Sequence, residues 1–329
     1  MFIKVPSSQL KRALHDVKAL NPTVVSFTTE GERLIVTAGS SVMYEDYIDI
    51  TATSSDYMDT VANVQYLDIS DLLGEKDEVK LEFTGFSVEL RYRSMSMSLA
   101  ASDSIVQRPE EDNAEKVVIS DRDSLKSALT VFKGLGIFQK TLQMDRPLQL
   151  FDTYGVVQYP TTWVRIRSSG ITNVVTKEQA NIIATFDPTH YSTSNVITLY
   201  REDAKLILPI VPVPDNDEFK DLLETMETVG IRSTKGLLRR VKVLSSTLGV
   251  CDCSVYVGES TLYFSVTKNT LRITDDVAEN VNFSFDTRLE YMVAILSLIG
   301  SDSDMEILEG KDSVCFRNSR VAIILSAGR

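Results

Sequence analysis

The sequence predicts an α+β protein of three similar domains, each with helices packed on antiparallel sheets. Three observations support this prediction: the length, two polar connectors, and a helix-and-strand pattern that recurs along the chain. The 329 residues exceed what a single core usually holds, because domains commonly span about 100–200 residues. Two or three domains are therefore expected, and the connectors favour three.

The connectors divide the chain into segments of similar length. Residues 103–116 are polar and acidic around Pro109, and residues 209–218 have the spaced prolines of an extended chain. The predicted organisation is a first domain at 1–105, a linker at 106–116, a second, divergent domain at 117–213 and a third at 214–329.

Each segment opens with a predicted amphipathic helix. Its apolar residues recur at helical spacing, which places them on one face. The stripes are Leu10, Ala13, Leu14 and Val17, then Leu125, Ala128, Leu129 and Phe132, and finally Leu237, Val241, Leu244 and Leu248. The repeat has the length of a domain, whereas solenoid units span about 20–50 residues.

Strands and a second helix follow in the same order. Residues 79–83 alternate apolar and polar side chains, as a half-buried strand does. Residues 66–74 and 291–300 both read as helices that end at a glycine. The middle segment departs from this pattern, because little room for a second helix remains between Phe186 and the strand at Val196. We expect that helix to be vestigial or the middle domain to be remodelled.

The charge balance limits the possible partners. The chain has 46 acidic and 34 basic residues and a net charge of −12. This argues against a protein whose whole surface coats nucleic acid or anionic membrane, although a local basic face remains possible. Three cysteines fit a reducing compartment better than a disulfide framework. No apolar run is long enough for a membrane-spanning helix, so we expect a cytoplasmic protein.

Little in the sequence favours catalysis or a bound cofactor. The two histidines, His15 and His190, lie far apart, and Cys251 and Cys253 share a strand face without the further ligands that zinc needs. Neither a G-x-x-x-x-G-K-[ST] phosphate loop nor a G-x-S-x-G nucleophile elbow occurs. The acidic clusters fall in predicted turns and linkers, where carboxylates are ordinary. We therefore expect no enzyme activity, cofactor or metal.

Basic residues recur on the polar side of the three opening helices. They are Lys11, Arg12 and Lys18, then Lys126 and Lys133, and then Arg239, Arg240 and Lys242. One interpretation is an ordinary solvated helix face. The other interpretation is a phosphate-binding stripe. Because the chain has a net charge of −12, basic residues that recur on the same side of three helices are less expected by chance. Phosphate contacts carry no sequence information, so such binding would be non-specific.

The repeat resembles the DNA sliding clamps, most closely the three-domain bacterial type, the beta subunit of the replicative polymerase. The likeness rests on residues 2–5 with 10–14 at the start, and on residues 285–286, 291–296 and 321–329 at the end. The chain is short for that type and its middle domain is divergent. We therefore expect a clamp from a bacteriophage.

The resemblance implies the DNA clamp fold, in which six domains close a ring with sheets outside and helices around the hole. Three domains per chain would then form a head-to-tail homodimer. Such a ring would encircle duplex DNA, tether a DNA polymerase as a replication processivity factor, and be loaded by a separate clamp-loader ATPase. It would work in the bacterial nucleoid or in the cytoplasm of an infected host.

The resemblance also implies a groove for partner peptides, between the second and third domains and beside the C-terminal strand. The expected lining residues are Trp163, Val164, Ile210, Val211, Pro212, Ile323, Leu325 and Ala327. Alternation places Ile323, Leu325 and Ala327 on one strand face, although burial in the core is an equal alternative for Ile323. Trp163 favours a groove, because it is the only tryptophan and aromatic residues concentrate at interfaces.

Two other functions stay open at this point. A protein with the clamp fold can serve as an interaction scaffold in transcription or checkpoint control. Dispersed acidic residues can also converge from different strands into an enzyme site, which a sequence alone does not reveal.

Overall fold

The computed structural model describes the chain apart from several short stretches. These are residues 55–58, 85–86, 108–113, 143, 214–221, 234–235, 259–260, 267–268, 274–282, 301–303 and 327–329. The described chain divides into two units. The first consists of Met1–Arg122 with Glu178–Val211, and the second of Asp123–Lys177 with Pro212–Arg329.

Six helices and one 3₁₀ turn are described. The helices are α1 (Ser7–Ala19), α2 (Arg122–Gly134), α3 (Gly136–Leu142), α4 (Lys177–Phe186), α5 (Leu237–Leu248) and α6 (Leu289–Ile299). The predicted opening helices are α1, α2 and α5. Of their predicted apolar stripes, those of α1 and α2 are fully buried, as are Leu237 and Val241 of α5. No helix in the described ranges is long and apolar enough to cross a membrane.

The strands alternate with these helices along the chain. Before α2 they are β1 (Phe2–Pro6), β2 (Val24–Glu30), β3 (Arg33–Gly39), β4 (Met43–Asp49), β5 (Ala52–Thr53), β6 (Asp59–Gln65), β7 (Glu78–Phe83), β8 (Ser87–Tyr92), β9 (Met95–Ala100) and β10 (Val117–Val118). Between α3 and α4 they are β11 (Leu148–Leu150), β12 (Tyr154–Gln158), β13 (Thr162–Arg167) and β14 (Asn173–Val175).

The remaining strands follow α4. They are β15 (His190–Thr193), β16 (Val196–Arg201), β17 (Ala204–Pro209), β18 (Glu227–Ser233), β19 (Asp252–Gly258), β20 (Thr261–Val266), β21 (Asn269–Ile273), β22 (Phe283–Arg288), β23 (Asp304–Gly310), β24 (Ser313–Arg317) and β25 (Val321–Ser326). All the described pairings of these strands are antiparallel.

The first unit contains two sheets. One has five strands in the order β5-β1-β7-β8-β9, and the other has eight in the order β10-β15-β16-β17-β4-β3-β2-β6. The larger sheet joins two distant parts of the chain where β4 pairs with β17, with Leu206 opposite Tyr44. This sheet therefore crosses the predicted boundary between the first and second domains.

The second unit repeats this design. Its eight-stranded sheet has the order β14-β11-β12-β13-β25-β24-β23-β18, and its four-stranded sheet the order β21-β20-β19-β22. The larger sheet is joined where β13 pairs with β25, with Val164 opposite Ile323. This sheet crosses the predicted boundary between the second and third domains, and the three-domain division stays a prediction.

Two predicted helices differ from the structure. The second helix of the middle segment is α4, which ends at Phe186 and so lies before Asp187-Pro188 instead of after it. Around residues 66–74 only a 3₁₀ turn, Ser70–Leu72, is formed. There the Asp68 carboxylate accepts hydrogen bonds from the Ser70 backbone N–H at 3.2 Å and from its hydroxyl at 2.7 Å. Such local side-chain bonds compete with helix formation.

Candidate nucleic-acid interface and partner groove

The basic residues of α1 do not all lie on an open surface. Arg12 lies 3.4 Å from the carboxylate of Asp46, which is fully buried, and also pairs with Glu202. Lys18 is exposed, but its ammonium lies 2.6 Å from Asp68, and this hydrogen bond raises the pKa of Lys18. Arg12 is therefore a weaker candidate for phosphate binding than the other basic residues, because its guanidinium neutralises a buried carboxylate, and its role in facing DNA stays a prediction.

A buried ionic network surrounds that arginine. The Tyr44 hydroxyl lies 3.1 Å from one carboxylate oxygen of Asp16 and 3.1 Å from one of Asp46. Arg201 pairs with Asp16, as Arg12 does with Asp46. Burial raises the pKa of both aspartates, and the arginines oppose this shift. The network ties α1 to β4 and to the β16–β17 turn within the first unit.

The basic residues of α2 and α5 are more exposed. Lys126 and Lys133 project from the side of α2 opposite its buried stripe. Arg239, Arg240 and Lys242 are exposed on α5, whose residues Leu237 and Val241 are buried. The structure gives these three α5 cations no ion pair within the described ranges. They are therefore well placed to bind phosphates from outside the chain.

The strand faces divide the predicted groove residues into two groups. On β13 and β25, Thr162 lies opposite Leu325, Trp163 opposite Ile324, and Val164 opposite Ile323. Directly opposed residues share a sheet face, and successive residues alternate between faces. Val164, Ile323 and Leu325 therefore share one face with Thr162, whereas Trp163 lies on the other.

Trp163 packs against a hydrophobic cluster on its own face. The buried members of this cluster are Met226, Leu308, Cys315, Ala322 and Ile324, and Leu222 and Leu223 are also packed against it. The prediction that Trp163 and Leu325 form walls of one groove is therefore wrong, because the strand alternation separates them.

A pocket of about 550 Å³ lies on the other face, at the end of β25. Its lining comprises Thr161, Thr162, Asp252, Cys253, Ser254, Phe285, Asp286, Thr287, Arg288, Tyr291, Leu325 and Ser326. Of the predicted groove residues that the structure describes, only Leu325 lines it. Val164 and Ile323 are fully buried, and the prediction that they line an open groove is wrong.

The other predicted groove residues do not contribute to this pocket. Ile210 and Val211 belong to the first unit, Pro212 begins the second, and none of the three is among the residues that line it. Ala327 lies outside the described residues. The sequence reasoning missed Thr162, Phe285 and Tyr291, although Phe285 and Tyr291 belong to the stretches that carried the family resemblance.

The pocket combines apolar walls with a polar rim. Leu325, Phe285 and Tyr291 provide apolar surface. The Ser254 hydroxyl donates to Asp286 at 2.5 Å, which orients that carboxylate. Thr162 is only 1% exposed, and its hydroxyl has no hydrogen-bond partner within the described part of the chain. Apolar walls with a few polar groups at the rim are the lining that a bound peptide segment requires.

The pocket's one thiol is not suited to nucleophilic chemistry. Burial raises the pKa of Cys253 to about 12. Because the thiolate is the reactive form, Cys253 stays protonated and unreactive at neutral pH. Among the described residues, no group of acidic, histidine or cysteine side chains is arranged to hold a metal ion.

Neither a protein-family model nor a curated protein sequence matches this chain. Several solved structures match it from end to end. The beta clamp of Helicobacter pylori bound to a DNA ligase peptide is 14% identical, with a TM-score of 0.74 and 99% of each chain covered. The DNA polymerase III subunit beta of Pseudomonas aeruginosa is 11% identical, with a TM-score of 0.74 and 100% of each chain covered.

A third match is the DNA polymerase III beta subunit of Thermotoga maritima. It is 12% identical, with a TM-score of 0.70, and the match covers 100% of this chain and 99% of that one. These likenesses confirm the predicted α+β class and the DNA clamp fold.

Proposed function

We propose that this protein is a sliding clamp, a ring-shaped processivity factor that encircles duplex DNA and tethers a DNA polymerase. The observation that carries the proposal is the end-to-end likeness to bacterial beta clamps, which spans 99% of both chains for the Helicobacter pylori protein. The proposed role is that of a non-enzymatic scaffold in the cytoplasm of a bacterium or of an infected host. A separate ATPase would load it.

Basic residues of the three opening helices supply the proposed DNA contacts; Lys11 is half-buried, and the others are exposed. Lys11, Lys126, Lys133, Arg239, Arg240 and Lys242 remain the candidates, and Lys18 contributes less because Asp68 offsets its charge. Contacts of this kind go to phosphates, so the clamp would hold DNA without sequence preference. The net charge of −12 would keep DNA from binding elsewhere on the surface.

The repeated sheet joint suggests how the ring closes. In each of the two larger sheets, the third strand after an opening helix pairs with the last strand of the next repeat. After α1 that strand is β4, which pairs with β17. After α2 it is β13, which pairs with β25. The strand that corresponds to β4 and β13 is β21, and the last strand of the first repeat is β9. Both lie at a sheet edge.

Pairing β21 of one protomer with β9 of its partner would repeat this joint. A two-fold axis makes the contact twice, so two chains would close a ring of six repeats in which every β9 edge and every β21 edge is paired. We therefore propose a head-to-tail homodimer.

The pocket beside Leu325 is the proposed docking site for partner proteins. The Helicobacter pylori beta clamp binds a DNA ligase peptide, and here Leu325, Phe285 and Tyr291 would receive the apolar side chains of such a peptide. The DNA polymerase is the expected principal partner.

Topological binding to DNA tests the proposal directly. The dimer would be separated in dilute urea and reassociated in the presence of nicked circular plasmid, so that no loader is needed. After a high-salt wash, a clamp should stay on the circle and be released when a restriction enzyme linearises it. Equal retention on circular and linear DNA, or no retention on either, would contradict the proposal.

A further inference from the structure

We propose that the sheet joint of the first unit is an electrostatic clasp, which opens at a lower free-energy cost than the joint of the second unit and makes the first unit a hinge. The first-unit joint is the pairing of β4 with β17, and the second-unit joint is the pairing of β13 with β25. Each joint lies within one unit. The inference rests on the chemistry of the joints and does not depend on the proposed clamp function.

The two joints differ in the residues that their strands pair. The first-unit joint pairs Ala204, Lys205, Leu206 and Ile207 with Asp46, Glu45, Tyr44 and Met43, in that order. The second-unit joint pairs residues 321–325 with residues 166–162. Three of the eight residues of the first joint are charged, whereas Arg165 is the one charged residue among the ten that the described pairs of the second joint contain. Charge therefore distinguishes the first-unit joint.

One face of the first-unit joint is closed by a lysine. Glu45 is only 2% exposed, and the Lys205 ammonium reaches its carboxylate from the other strand at 3.5 Å. The Tyr47 hydroxyl donates to the same carboxylate and accepts a hydrogen bond from Lys205 at 3.4 Å. The two strands therefore cannot separate on this face without breaking the ion pair of Lys205.

The other face is closed by two ion pairs of opposite polarity. Arg12 and Asp16 lie four residues apart on α1, and therefore on the same side of that helix. The β16–β17 turn presents the complementary charges, so that Arg201 pairs with Asp16 and Glu202 with Arg12. Arg201 also donates to the carbonyl of Phe186 at 2.8 Å, and its guanidinium lies 4.9 Å from the centroid of that ring. These pairs hold the turn against α1.

Closing this joint removes three carboxylates from water. Asp46, Glu45 and Asp16 are 0%, 2% and 6% exposed. The desolvation cost of a buried ion pair offsets much of its attraction, and replacing such pairs with apolar residues is often neutral or stabilising. Burial raises the pKa of Asp16 and Asp46 even though an arginine pairs with each, as expected where desolvation outweighs the pairing.

Opening the two joints therefore has different costs. In the first unit, the separated charges regain their hydration, which offsets part of the lost attraction. In the second unit, opening exposes Val164, Ile323 and Leu325, which are at most 3% exposed, and exposing apolar surface is unfavourable. The first-unit joint should thus open more often than the second-unit joint.

Salt acts differently on the two kinds of joint. The side chains of Arg201, Lys205 and Arg12 are 18%, 25% and 29% exposed, so mobile ions can reach the cations of the clasp. The screening length falls from about 10 Å at 0.1 M salt to about 3 Å at 1 M. Added sodium chloride should therefore weaken the clasp, whereas apolar contacts have no charge to screen.

The test is native-state hydrogen exchange of the full-length protein, read by mass spectrometry at about 0.1 M and about 1 M sodium chloride. The amides of β4 and β17 should exchange faster than those of β13 and β25, and several-fold faster again at the higher salt concentration. The double variant Arg201→Gln with Lys205→Gln should raise exchange in β4 and β17 by about tenfold or more at low salt, and should reduce its salt dependence. The matched control is Arg33→Gln, whose exposed ion pair with Asp49 lies at one end of β4; it should behave like wild type.

Equal exchange in the two joints, or an equal acceleration of both by salt, would overturn the proposal. An acceleration confined to β9 and β21 would also overturn it, because that result would report the separation of a dimer and not the opening of the first unit. The salt comparison on the wild-type protein needs no variant, so it decides the matter even if the double variant does not fold.

Discussion

Replacing Arg12 with glutamine tests whether this residue stabilises the first unit or faces DNA. Asp46 is fully buried, and Arg12 is its recorded cationic partner, 3.4 Å away. Removing one partner of a buried pair costs about 3–5 kcal/mol. The arginine is partly exposed and Asp46 keeps its hydrogen bond to Tyr44, so we expect the free energy of unfolding to fall by about 2 kcal/mol.

The decrease in the free energy of unfolding caused by Arg12→Gln should depend on pH in a defined direction. Burial already raises the pKa of Asp46, and without Arg12 that pKa should rise further. A raised carboxyl pKa means that the folded state binds a proton more readily than the unfolded state. Protonation of Asp46 therefore favours the folded state increasingly as pH falls. The deficit of Arg12→Gln should therefore be largest at pH 7 and smaller at pH 5.

Urea unfolding at both pH values would measure this effect. The matched control is Lys18→Gln on the same helix, whose partner Asp68 is partly exposed; it should leave the free energy of unfolding nearly unchanged. Equal effects of the two substitutions at pH 7, or a deficit for Arg12→Gln that grows as pH falls, would refute this interpretation.

Three further predictions concern the proposed clamp. Changing Arg239, Arg240 and Lys242 together to glutamate should abolish retention on circular DNA at unchanged dimer mass; full retention would remove α5 from the DNA interface. Leu325→Asp should weaken binding of a polymerase peptide by at least tenfold, because the apolar wall gains a carboxylate, and unchanged affinity would move the docking site elsewhere. Ser98→Pro removes a backbone donor that points away from β8, at the free edge of β9, and should convert the dimer to monomer, whereas an intact dimer would exclude β9 from the joint.

The sequence predicted the features that depend on local patterns. The helical spacing of Leu10, Ala13, Leu14 and Val17 corresponds to α1, and that of Leu125 and its repeat partners corresponds to α2. The prediction of a vestigial second helix in the middle segment rests on the short stretch after Phe186, whereas α4 ends at that residue. Its apolar residues Ala180, Ile182, Ile183 and Phe186 are buried in the structure, so the pattern was present earlier in the chain.

Features that depend on distant residues could not be predicted. Arg12 and Glu202 are 190 positions apart, and their pairing requires the joint between β4 and β17. The spacing of the basic residues on α1 is the same whether an arginine binds a phosphate or neutralises a buried carboxylate. The sequence pattern alone therefore does not distinguish these two roles.

The groove residues show a similar limit. Alternation correctly grouped Ile323 with Leu325, but it could not show which neighbouring strand lies beside them or in which register. Because a shift of one residue moves every side chain to the other face, the register of β13 against β25 decided that Trp163 lies away from Leu325.

The most direct test of the central claim is the mass of the protein in solution. Sedimentation equilibrium at micromolar concentration would determine how many chains of 36.7 kDa assemble. Closure through β9 and β21 predicts a single species of two chains. A species of one chain would contradict the ring, and a species of three would mean that each chain contributes two repeats to it instead of three.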